Sequence, residues 1–104
     1  MKKVSIIIPC YNALDYVEEC MKALEVQTIG MEALEIILVN DASTDETYGA
    51  LCKWEQKYPE SIMVVNLEQN GKQGRVRNIG MTYATAEYIG FADIDDTMVP
   101  QMYE

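Results

Sequence analysis

The sequence contains no histidine, only three cysteines, and 8 lysines and arginines against 17 aspartates and glutamates in 104 residues. Each shortage excludes something. Without histidine, imidazole acid/base catalysis and His-ligated metals are ruled out, leaving carboxylates as the natural metal ligands. Cys10, Cys20 and Cys52 are odd in number and lack CxxC spacing, which argues against a disulfide framework and for a reducing, cytoplasmic setting. A formal charge of −9 repels nucleic-acid phosphates and anionic headgroups, so no nucleic-acid partner is expected. An anionic ligand would need a cation or local basic groups to hold it. No apolar run approaches the roughly 20 residues of a membrane helix. The first one, Val4 to Ile8, is stopped by Pro9, so neither a signal peptide nor a transmembrane segment is expected. Repeats, linkers and low-complexity segments are also missing.

What is present is a regular alternation. With 49% apolar residues the chain has enough for one small core and one soluble domain. Val4-Ser5-Ile6-Ile7-Ile8 is β-branched without alternation, as in a parallel strand buried on both faces. After Pro9-Cys10-Tyr11-Asn12, the residues Leu14, Val17, Met21 and Leu24 recur at helical spacing, with Asn12 placed to cap and Asp15 near the positive end of the dipole. Ile36 to Val39 reads as a second buried strand. It leads into Asn40-Asp41-Ala42-Ser43-Thr44-Asp45, where Ser43 to Glu46 carries a capping-box pattern. Thr47, Leu51, Trp54 and Tyr58 form the stripe of a second helix that Pro59 closes. Ile62 to Val65 reads as strand three, and Val76, Ile79 and Tyr83 line a third helix. Gly80 inside that helix costs about 1 kcal/mol against alanine unless something packs close to it. Tyr88 to Ala92 reads as strand four, and Pro100 suits the first turn of another helix.

Strands alternating with helices at this spacing predict an α/β fold of three layers, a mostly parallel sheet with helices on both faces and right-handed crossovers. Ligands of such sheets bind beyond the carboxyl ends of the strands. The segments Pro9 to Asn12, Asn40 to Asp45 and Asp93 to Asp96 all follow a strand, so they should share one rim. Asp93, Asp95 and Asp96 place three carboxylates within four residues, and a divalent cation with oxygen ligands would offset their repulsion. The plain alternative is an acidic surface turn.

These residues give a resemblance. Ile8-Pro9-Cys10-Tyr11-Asn12, Asn40 to Asp45, Arg77-Asn78-Ile79-Gly80 and Asp93-Ile94-Asp95-Asp96 together resemble the amino-terminal, nucleotide-binding half of a family 2 glycosyltransferase with the Rossmann-like GT-A fold. The resemblance covers essentially the whole chain. It implies a strand order of 3-2-1-4. It also implies that residues 1–104 are the nucleotide-sugar-binding part of a glycosyltransferase domain, with the acceptor-binding part absent and the general base beyond Glu104.

The resemblance also implies roles for single residues. Pro9, Tyr11 and Asn12 match the loop that packs on the base; Tyr11 alone is also an ordinary aromatic at the start of a helix, and Asn12 a plain cap. Asp41 matches the carboxylate that accepts the uracil ring N–H, and by itself is also a turn-forming aspartate. Asn40 stands where the family often has Asp, and Ala42 where it often has Gly. Ser43 and Thr44 are assigned to helix capping rather than ligand binding. Arg77 matches a residue that reaches the nucleotide or steadies the loops around it, and by itself is also a solvated helix arginine. Asp93 and Asp95 form the DxD element that meets the ribose and, through Mn²⁺ or Mg²⁺, the diphosphate, with Asp96 as an acidic neighbour. Implied overall is inverting transfer of a hexose from a nucleotide-sugar, a UDP-sugar foremost, to a hydroxyl acceptor such as a saccharide or lipid-linked saccharide. The enzyme would be cytoplasmic, with peripheral membrane contact allowed in its full-length form. Two other readings remain. A receiver-like metal- or nucleotide-binding module would lack the Pro9–Tyr11 loop and the Arg77-Asn78 element. A nucleotidyltransferase would carry a glycine-rich basic loop after its first strand.

Overall fold

A computed structural model of the chain describes residues 2–27, 29–69, 71 and 73–95, without the side chain of residue 73. Four strands, β1 (Val4–Cys10), β2 (Leu34–Asp41), β3 (Ile62–Leu67) and β4 (Tyr88–Phe91), form one sheet in the order β3-β2-β1-β4. Every pairing is parallel. Three helices connect them: α1 (Leu14–Glu25), α2 (Thr47–Lys57) and α3 (Gln73–Tyr83). The expected order and the expected strand direction are both observed.

The register explains why β1 and β2 are apolar at every position. Ile6 pairs with Ile36 and Ile7 with Ile37, so alternate residues of both strands fall on the same face. Ile6, Ile8, Ile36 and Leu38 join Val17, Cys20, Met21 and Leu24 of α1 and Leu51 and Trp54 of α2. Ile7, Ile37 and Val39 face the other way and pack with Val76 of α3. Helices therefore cover both faces, and a fully buried isoleucine or leucine at these positions contributes roughly 2 kcal/mol.

The close packing of α3 depends on Gly80. A Cβ placed there would lie 2.5 Å from Cγ2 of Ile7, so α3 reaches the sheet only because that side chain is missing. The helix cost of a glycine is thus offset by closer contact with β1.

Several local expectations are corrected. Leu14 is 40% exposed and Tyr83 is 43% exposed, while Cys20 joins Val17, Met21 and Leu24 on the buried face of α1. Asn12 does not cap α1, whose capping residue is Ala13 with no side-chain hydrogen bond. The Ser43–Glu46 pattern does not form a capping box either. α2 starts later, after Glu46, and Asp45 accepts the backbone N–H of Thr47 at 2.9 Å as well as its hydroxyl. Pro59 does follow the end of α2, one residue after its terminal Tyr58. The expectations for Asp96 and Pro100 fall outside the described residues.

At the opposite end from the motifs, Glu35 stitches the elements together. It accepts hydrogen bonds from Ser5 Oγ, Thr85 N and Thr85 Oγ1, each at 2.7 Å, while Ser5 Oγ also accepts Ala86 N at 3.1 Å. This fixes where the chain enters β4, and hence where its acidic end emerges.

Candidate functional site

At the carboxyl ends of the strands lies an open cleft of about 500 Å³. Pro9, Tyr11 and Asn12 contribute from the end of β1, Asp41 from the end of β2, Gly71 from the connection after β3, and Asp93 and Asp95 from beyond β4. The three segments expected to share a rim do share it, the last as far as Asp95, where the described residues end. The sheet order accounts for this, because it puts β2, β1 and β4 side by side.

The first two loops are pinned to each other. Asn12 adopts a left-handed backbone with φ 46°, a conformation asparagine tolerates, and its amide oxygen accepts the backbone N–H of Thr44 at 2.8 Å. In return, Asn12 N donates to Ser43 Oγ at 3.0 Å, and Ala13 N donates to Thr47 Oγ1 at 2.9 Å. Ser43 and Thr44 therefore join loops; they do not cap α2. Ala42, just before them, has φ 57°, which gives a physical reason for glycine to be favoured at that position.

Asp41 is only 7% exposed, and its Oδ1 accepts the backbone N–H of Gly71 at 2.7 Å. That bond fixes the plane of the carboxylate and ties the connection after β3 to the cleft. Its neighbour Asn40 points to the other sheet face, where its amide nitrogen donates to Asn66 Oδ1 at 2.7 Å. Two adjacent polar residues thus have separate tasks, as strand alternation requires.

Tyr11 and Tyr16, 51% and 47% exposed, both line the cleft and present accessible ring surface. Sequence reasoning passed over Tyr16. The available signal was its position on α1, off the buried stripe and one residue before Val17. Cys10 also borders the cleft, but it has no exposed surface. Burial, with a smaller contribution from Cys20, raises the ionisation of its thiol far above the ordinary range, so it is no nucleophile.

Asp93 and Asp95 supply two hard oxygen donors on one wall of the cleft. That donor chemistry fits Mg²⁺ or Mn²⁺, which take carboxylates together with substrate phosphates and waters. Among the described residues no three acidic, cysteine or histidine side chains are gathered into a metal site. Asp96 is outside the described residues. Arg77 is not part of the cleft lining. It stands behind it, with Nη2 3.6 Å from Asp93 Oδ1.

This geometry has counterparts in known proteins. The sequence pattern described as "Glycosyl transferase family 2" matches residues 5–104. The poly(ribitol-phosphate) beta-glucosyltransferase of Bacillus spizizenii is 39% identical over 94 residues, covering 90% of this chain and 15% of that protein. The structure of S. aureus TarS 1-349 in complex with UDP superposes with a TM-score of 0.86 at 33% identity, over 95% of this chain and 29% of that one. The mannosyltransferase PcManGT from Pyrobaculum calidifontis, in complex with GDP-Man and Mn²⁺, gives a TM-score of 0.82 at 28% identity, over 89% of this chain and 27% of that one. The chain spans less than a third of each of these proteins. With its GT-A sheet, its strand-end cleft and a family match from residue 5 to residue 104, the chain belongs to glycosyl transferase family 2.

Proposed function

We propose that this chain forms the donor side of a cytoplasmic, inverting hexosyltransferase that takes a UDP-sugar and transfers the sugar to a hydroxyl acceptor, a saccharide or lipid-linked saccharide. The observation that carries this reading is the meeting of Tyr11, Asp41, Asp93 and Asp95 in one cleft. An accessible aromatic, a buried carboxylate and two carboxylates beyond β4 match the three parts of a nucleoside diphosphate. UDP in the TarS structure supports the choice of nucleotide, and Mn²⁺ in PcManGT supports the choice of ion. Membership of the family favours this over a receiver-like module or a nucleotidyltransferase.

In this reading the base stacks on Tyr11 within the loop that Pro9 and Asn12 hold in shape. Asp41, nearly dry and oriented by Gly71, accepts the ring N–H. Asp93 meets the ribose, Asp93 and Asp95 hold the ion, with Asp96 as their acidic neighbour, and Arg77 steadies Asp93. When bound, the ion offsets charge on the departing diphosphate. The acceptor oxygen bonds to the anomeric carbon as the bond to the diphosphate oxygen breaks, and UDP leaves with that electron pair. The acceptor proton goes to a carboxylate outside residues 1–104, so this chain alone is expected to bind donor without turnover.

Calorimetric titration with UDP, with and without Mn²⁺, tests the reading. Binding should require the divalent ion, exceed that of ADP and GDP, and weaken at least about tenfold in Asp95→Ala. A folded chain that binds no UDP, or binds it equally well without Asp95, contradicts it.

A further inference from the structure

Arg77 has an unusual combination of contacts. Its guanidinium lies 5.6 Å from the ring centroid of Phe91, a cation–π contact, and Nη2 is 3.6 Å from Asp93 Oδ1. At that distance the link to Asp93 is Coulombic attraction and not a closed hydrogen bond. Nε is buried with no hydrogen-bond partner among the described residues. The side chains of Arg77 and Asp93 are 38% and 49% exposed. The guanidinium is therefore held by a ring and a charge, with part of its donor capacity unused, beside a carboxylate that faces the cleft.

A divalent ion arriving at Asp93 and Asp95 meets a carboxylate that already has a positive partner, and it is repelled by the guanidinium as well. A diphosphate removes this conflict, because its negative charges attract both cations. We propose that Arg77 is the resident counter-ion of Asp93, a positioning residue that holds down the affinity of the empty cleft for a divalent ion until a nucleoside diphosphate arrives. The ion and the nucleotide then bind cooperatively, each raising the other's affinity by the same factor. This inference rests on the donor-site reading above.

The test is Mn²⁺ binding, followed by the electron paramagnetic resonance signal of the free ion, with and without UDP. Arg77→Gln should bind Mn²⁺ alone about three- to tenfold more tightly than the unmodified chain, and UDP should raise its Mn²⁺ affinity by a smaller factor. Arg77→Lys, which keeps the charge, should stay near the unmodified chain. Arg77→Met keeps the aliphatic stem over Phe91 and carries the same test if the glutamine variant does not fold. An unmodified chain that binds UDP with Mn²⁺, beside an Arg77→Gln variant whose affinity for Mn²⁺ alone is unchanged or weaker, overturns this inference and leaves the donor site standing. An unmodified chain that binds no UDP overturns both.

Discussion

The side-chain oxygen of Asn12 accepts the backbone N–H of Thr44 at 2.8 Å, so the loop after β1 and the loop after β2 are one hydrogen-bonded unit. Breaking the unit should cost stability as well as disturb the cleft. Asn12→Ala loses that bond and leaves an alanine at φ 46°, for a total of about 2 kcal/mol. Asn12→Gly loses the bond but accepts the backbone, and should recover roughly half of the loss. Urea midpoints of the two variants check the order; equal midpoints would show that backbone strain plays no part.

Ala42 offers the reverse experiment. With φ 57° it occupies a region that costs a side chain about 1–2 kcal/mol, so Ala42→Gly should stabilise the chain by roughly 0.5–1 kcal/mol after the entropy cost of glycine. Thermal or urea unfolding reads this directly, and a destabilised variant would contradict it.

Gly80 should not tolerate a methyl group. With Ile7 Cγ2 2.5 Å from the added Cβ, Gly80→Ala should destabilise by about 1–3 kcal/mol despite the better helix propensity of alanine. Ile7→Ala removes the opposing methyl, so the double variant should lose less than the sum of the two single losses. Additive losses would show that the contact is not the cause.

Much of this architecture was legible beforehand, for identifiable reasons. β1 and β2 announce themselves because burial on both faces removes polar alternation, and Gly80 in a helical stretch pointed to a close neighbour. Capping was misread because the residue types that cap helices are the same ones that cross-link loops. Nothing local to Asn12 or Ser43 reveals that their partners lie in each other's loop. On α1, Cys20 was passed over because a cysteine there serves as a small buried apolar residue. In the site, the types of Tyr11, Asp41, Asp93 and Asp95 were legible through the family resemblance. The pairing of Arg77 with Asp93 needed the fold, since it depends on where α3 passes β4.

Glu35 gives the chain a specific response to acid. Burial works against its ionised form, but hydrogen bonds from Ser5, Thr85 N and Thr85 Oγ1, with Lys2 nearby, outweigh it and hold the carboxyl below its ordinary value. A depressed carboxylate contributes stability above its unfolded pKa of about 4.3, and that contribution is lost as pH falls through the lower folded value. Glu35→Gln should therefore be less stable than the unmodified chain by about 1 kcal/mol at pH 7, and the difference in urea midpoint should shrink below about pH 4. A difference that is constant with pH would show that the charge of Glu35 is not what holds β4.

The most direct test of the account is to map where a nucleoside diphosphate touches the protein. In amide NMR spectra recorded with UDP and diamagnetic Mg²⁺, the account predicts shifts at Tyr11, Asn12, Asp41, Gly71, Asp93 and Asp95, the residues of the strand-end cleft. It predicts none at Met31, Tyr58 or Ser61, at the other end of the sheet, where Ser61 Oγ donates to Met31 O at 2.9 Å. Shifts centred on that second group, with the cleft residues unmoved, would contradict the claim that the carboxyl ends of β1, β2 and β4 form the donor site.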